Sequence, residues 1–227
     1  MKRVCSLLLA TIFAVVSAVC VGLGTEVNFD PSTYNPMLGE SVSFEAYRPE
    51  WGTSSLRYEW DFDGNGTVDV TTDEACVTYV FGAPGFIAVT LTVTDVGGRA
   101  ETRSKGLLVG ASPVHAVRDL FSETGGSVFV RITLVAQSAV SAPGLEETLP
   151  SNCQVEILDS GGGYVKRTGR TLQVLWMEAI GPEETRTLSF RLYPTYGTGV
   201  PALSGTLSAY AEGRVAVPVC GDLAVIR

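Results

Sequence analysis

The chain has few of the residues on which catalysis usually rests. Its 227 residues include one histidine, His115. That residue falls in a junction-like stretch, where a solvent-exposed side chain is the expectation. No G-x-S-x-G nucleophile elbow and no H-E-x-x-H zinc motif occurs. The glycine clusters at 64–66 and 161–163 sit between strand-like runs, without the strand-to-helix context of a phosphate loop. The acid pairs Glu146-Glu147 and Glu183-Glu184 lie in turn-rich polar stretches and read as solvated carboxylates, not as a glycosidase pair. The chain is therefore expected not to be an enzyme. Basic residues are also scarce: 16 Lys and Arg face 24 Asp and Glu, a net charge of -8. No basic block offsets this, and an acidic surface repels phosphate backbones, so nucleic acid is excluded as a partner. The five cysteines show no C-x-x-C spacing, so a zinc site has no support. Long helical periodicity is nearly missing as well.

The N-terminus, "MKRVCSLLLATIFAVVSAVCVGLG", has two basic residues, an uncharged apolar run and then small residues. This is the layout of a secretory signal peptide over residues 1–24. The run is also long enough to anchor the chain in a membrane if it stays uncleaved. Export to the outside or to the cell envelope follows in either case. Cys76, Cys153 and Cys220 then face an oxidising compartment, where two of them can pair. Cys153–Cys220 is the favoured disulfide, which would contribute roughly 3–5 kcal/mol by closing a long loop. Two buried free thiols are the alternative.

Period-two alternation runs through the rest of the chain. "FIAVTLTVTD" puts Ile87, Val89, Leu91 and Val93 on one face, and "SVFVRITLVA" does the same with Val128, Val130, Ile132 and Leu134. "TRTLSFRLYP" repeats it with Leu188, Phe190 and Leu192. Turn signals such as "GNG", "GAPG", "DVGG" and "DSGGG" separate the runs. Short strands at this spacing predict an all-β fold of sandwiches. A small-residue stretch with Pro113 marks a boundary, giving two tandem domains at 25–111 and 114–227. Each is near the size of an immunoglobulin-type sandwich.

Three segments, "VNFDPSTYNPMLGESVSFEA", "LRYEWDFDGNGTVD" and "YVFGAPGFIAVTLTVTDVGG", resemble the PKD (polycystic kidney disease) domain over residues 26–110. The carrying pieces are Trp60-Asp61-Phe62 with its turn, and the block from Phe81 to Asp95. Ile87 stands where that family often has tyrosine. Residues 114–227 resemble the immunoglobulin-like conserved-repeat modules of bacterial and archaeal surface proteins, through Gly181 to Pro194 among other segments. Both resemblances imply extracellular, non-catalytic units that bind a cell-surface protein or a polysaccharide, or act as spacers. An accessory polysaccharide-binding component of an extracellular hydrolase is the second reading. Trp51, Tyr47 and Tyr34 lie in loop-like stretches and are the aromatic candidates for such binding.

The stretch "WDFDGNGTVD" holds the candidate metal ligands. Asp61, Asp63 and Asn65 occupy the first, third and fifth positions of a calcium-loop spacing, with Gly66 sixth and Asp69 ninth. The twelfth position is Thr72 and no helices flank the loop, so this is not an EF-hand. A calcium site on a β-hairpin is one reading. The other is a tight turn whose Asp and Asn side chains accept from local backbone N–H groups.

Overall fold

The computed structural model describes residues 26–195 and 202–224, apart from 48, 50 and 52–54. The expected signal segment, residues 1–24, lies outside the described residues. The first seven strands are β1 (Asn28–Pro31), β2 (Ser41–Tyr47), β3 (Leu56–Asp61), β4 (Val70–Thr72), β5 (Cys76–Val80), β6 (Gly85–Asp95) and β7 (Ala100–Val109). Ten more follow: β8 (Val114–Ser122), β9 (Val128–Ala136), β10 (Ser141–Thr148), β11 (Cys153–Asp159), β12 (Tyr164–Thr168), β13 (Thr171–Leu175), β14 (Thr185–Pro194), β15 (Ser204–Tyr210), β16 (Arg214–Pro218) and β17 (Cys220–Asp222). The fold is all-β.

Alternation decides which side chains enter the two cores. Val89, Leu91 and Val93 of β6 are fully buried, while Thr90 and Thr92 on the opposite face bond to Ser104 and Thr102 across the ladder. Trp60 is fully buried and meets Phe29 edge-on at 5.2 Å and Phe62 stacked at 5.6 Å. Its large aromatic area makes it the anchor of the first core, which runs from Val27 to Val109. The second core runs from Val114 to Val219 and takes Val130, Ile132 and Leu134 from β9 and Leu188, Phe190 and Leu192 from β14.

Each core lies between two sheets. A three-stranded sheet, β1-β2-β5, covers the first, and a five-stranded sheet, β12-β13-β10-β15-β16, covers the second. The other wall of both is one nine-stranded sheet, ordered β11-β14-β9-β8-β17-β7-β6-β3-β4. The three-residue strand β17 joins its halves, pairing antiparallel with β7 and parallel with β8. Gly221, at φ +83°, lets β17 approach so closely that a Cβ there would collide with the Arg118 backbone.

A charge cluster pins this seam. The Asp222 carboxylate takes two bonds from Arg103, at 3.2 and 2.7 Å, and the backbone N–H of Leu120 at 2.9 Å. Lys105 lies 3.7 Å away. Arg118 donates to the Asp222 carbonyl at 3.1 Å and pairs with Glu147 wholly out of solvent. A single carboxylate thus ties β7 of the first unit to β8 of the second.

Three expectations are corrected here. Cys153 and Cys220 are free thiols, not a disulfide. They sit in β11 and β17, four strand steps apart in one sheet, which at about 4.8 Å per step is about 19 Å, far beyond disulfide reach. Burial raises both thiols, Cys220 to about 12, so neither is reactive. His115 is buried in β8, where burial lowers its pKa from the ordinary value and keeps the ring neutral. Glu147 is fully buried against Arg118, because position 147 points inward between the outward-facing Glu146 and Thr148.

Asp222→Ala leaves the buried Arg103 without its close carboxylate partner, while Lys105 keeps Asp30. It is expected to lower the unfolding free energy by roughly 3–5 kcal/mol. It should also split one calorimetric transition into two. A single transition at the original temperature contradicts the seam's role.

Candidate functional site

The acidic hairpin joins β3 to β4, with Trp60 opposite Val70 and the Asp69 N–H donating to the Trp60 carbonyl at 2.8 Å. Leu56, Tyr58, Trp60 and Phe62 point into the core, which leaves the aspartates at the rim. The turn then folds back on Asp61. One of its oxygens accepts the Gly64 N–H and the other the Gly66 N–H, both at 2.8 Å. Both glycines have positive φ, near +73° and +83°, which turns their N–H groups toward one anion. Asp69 accepts the Phe62 N–H at 2.7 Å. Asp63 accepts the backbone and side-chain N–H groups of Asn65 at 3.0 and 2.8 Å. The Asn65 side-chain oxygen Oδ1 accepts the Thr67 N–H at 2.7 Å.

The structure therefore gathers the four polar residues into one loop. Carboxylate oxygens of Asp61, Asp63 and Asp69 lie within 4.8 Å of one another, with Asp61 buried and the other two exposed. Backbone donors offset part of this negative charge. A groove of about 300 Å³ opens beside the loop, lined by Glu59, Asp61, Thr67, Thr90 and Thr92 among others. Each carboxylate already shapes the turn, and its remaining lone pairs are what a cation could use.

The aromatic candidates have other neighbours. Trp51 packs against the first core, and the Arg99 guanidinium lies 4.4 Å from its ring centroid. Tyr47 is exposed at the ring, and its hydroxyl donates to Asp30 at 2.7 Å. Tyr34 donates to the same carboxylate at 3.2 Å. The burial of each phenol, reinforced by the Asp30 charge, raises its pKa and keeps it protonated.

Sequence reasoning missed a second surface, on the outer face of the five-stranded sheet. Tyr164, Leu175, Gly144 and Ser208 form one row across four strands, and Lys166, Gln173 and Glu146 form the next. Tyr164 is 72% exposed and Tyr210, on the same face, 56%. Gly144 has no side chain to fill the floor, and a groove of about 380 Å³ lies over it. The signal was there in the alternation of "GGYVKRTGRTLQVL", but which face is outward depends on where the sheet lies.

Asp61→Ala leaves the N–H groups of Gly64 and Gly66 without their acceptor. It is expected to cost about 1–3 kcal/mol of stability, measured by denaturant unfolding in a chelator. An unchanged midpoint in chelator shows that the turn does not need this carboxylate.

No curated protein matches the chain in sequence. Several solved structures resemble it in fold. The chitinase ChiA74 from Bacillus thuringiensis is 12% identical over 74% of this chain, with a TM-score of 0.39; the match spans 26% of that chitinase. A protein from Nocardia farcinica with an immunoglobulin-like fold is 14% identical over 49% of this chain and 99% of its own, with a TM-score of 0.36. The fibronectin(III)-like modules of CbhA from Clostridium thermocellum are 13% identical over 87% of this chain and 94% of theirs, also at 0.36. These likenesses concern the fold alone. Residues 25–108 match the family model of the PKD domain, and that segment of the chain is a PKD domain.

Proposed function

We propose that the chain is an exported, non-catalytic unit that works as a stiff spacer and binding element at the cell surface or beyond it. PKD domains are typically non-catalytic and typical of extracellular or surface proteins. The observation that supports the spacer reading is the nine-stranded sheet, continuous through both cores and pinned at β17 by Asp222. A chain joined this way holds whatever flanks it at a set distance and angle. The partner would be a cell-surface protein or a polysaccharide. Small-angle scattering tests the spacer reading: the intact chain is expected to fit one rigid shape, and a hinged ensemble overturns it.

The second reading, an accessory polysaccharide-binding component of an extracellular hydrolase, draws on the groove under Tyr164. An exposed ring beside Gln173, Lys166 and Ser208 offers a stacking surface with polar groups at its margin. In a pull-down on insoluble cellulose and chitin, Tyr164→Ala is expected to lose binding that Trp51→Ala keeps, because Arg99 already covers the Trp51 ring. Binding lost only with Trp51→Ala moves the site to the first unit.

Calcium at Asp61, Asp63, Asn65 and Asp69 would brace the hairpin in either reading. Millimolar calcium is then expected to raise the melting temperature above its value in chelator. An unchanged melting temperature removes the ion.

A further inference from the structure

The inner face of β7 carries an unusual residue for a sandwich core. Arg103, Lys105, Leu107 and Val109 all point between the sheets, and the Lys105 side chain is only 3% exposed. Its ammonium lies 2.7 Å from Oδ1 of Asp30, on β1 at the edge of the opposite sheet. Two further polar atoms face it: the Tyr34 hydroxyl at 3.3 Å and Oδ1 of Asp222 at 3.7 Å. The Phe29 ring lies 5.6 Å away on the apolar side. Tyr34 and Tyr47, which the sequence offered as aromatic binding candidates, donate their hydroxyls to the two oxygens of Asp30, Tyr34 to Oδ1 and Tyr47 to Oδ2.

We propose that Lys105 and Asp30 condense into an intramolecular amide that staples the two sheets of the PKD domain. The parts of an acyl-transfer site stand around this pair: a buried amine, a carboxyl group within contact, two hydroxyl donors on that carboxyl, and a second carboxylate beside the amine. Asp222 takes a proton from the Lys105 ammonium. The freed lone pair of Nζ attacks Cγ of Asp30, and Tyr34 and Tyr47 stabilise the oxygen charge that develops there. As the tetrahedral centre collapses, the new C–N bond is kept and one C–O bond breaks. The departing oxygen leaves as water, with one proton from the amine and the one held by Asp222, which returns to a carboxylate. Atoms and charge balance without any co-reactant.

Position makes such a step feasible. An amine and a carboxyl held in contact react at effective concentrations far beyond those in free solution. The buried amine is shielded from bulk water, while the Asp30 side chain, 47% exposed, gives the released water a way out. The staple also suits a chain in which Cys153 and Cys220 stay apart as thiols. It goes beyond the spacer and binding readings and does not depend on them.

Mass spectrometry decides the matter on the exported protein itself. The intact chain is expected to weigh less than its sequence by one water, after its N-terminus is established from the same sample. A tryptic digest should contain a branched peptide joining the segments that carry Asp30 and Lys105. Lys105→Arg keeps the charge pair but cannot form the amide, so it should return the full mass and lose the branched peptide. Asp222→Asn should leave a larger uncondensed fraction. A wild-type chain at full mass overturns the proposal, as does a lost water without the branched peptide, which would indicate cyclisation at an aspartate instead.

Discussion

A three-residue strand between two others holds the molecule together as one body. Strand β17 follows β16 and completes the ladder between β7 and β8. Without it the ladder would be interrupted between β7 and β8, which follow one another through the short connection between Val109 and Val114. Backbone hydrogen bonds alone give so short a strand little hold. The Asp222 carboxylate supplies the rest, because Arg103 approaches it from the first unit and the Leu120 N–H from the second. The buried Arg103 guanidinium needs an anion at close range, and β17 brings it. The same arrangement places Lys105 within reach of both Asp30 and Asp222.

The surface features divide along the same seam. The first unit carries the acidic hairpin, whose carboxylates are engaged by the N–H groups of their own turn. The second unit carries the open face with Tyr164 and Tyr210. On the spacer reading proposed above, the junction at β17 would fix the separation and orientation of these two surfaces. That is a property of the whole chain, which neither sandwich has by itself.

Much of the fold was legible because strand periodicity is a local property. Val89, Leu91 and Val93, or Val130, Ile132 and Leu134, alternate with polar residues, and each set is buried as that alternation requires. The acidic loop was legible for a related reason: Asp61, Asp63, Asn65 and Asp69 lie within nine residues, so a single turn brings them together. Trp51 was less transparent, since nothing near it in sequence announces that Arg99 covers its ring. The disulfide expectation failed on distance, because cysteine spacing along the chain carries no information about how many strands of a sheet come between.

By itself, then, the sequence determined the all-β class, the inward faces of the strands, the turn at "DFDGNG" and the PKD character of the first unit. Each of these is set by residues within a strand or a turn of one another. Only the tertiary structure decided that Asp222 would meet Arg103 and Lys105, that Asp30 would lie against Lys105, and that Cys153 and Cys220 would stay apart. Those pairings join residues separated by 75 positions for the Lys105–Asp30 contact and 119 for Arg103–Asp222. Their geometry depends on strand order across a sheet, and alternation along a strand fixes which face a side chain takes but not which strand lies beside it.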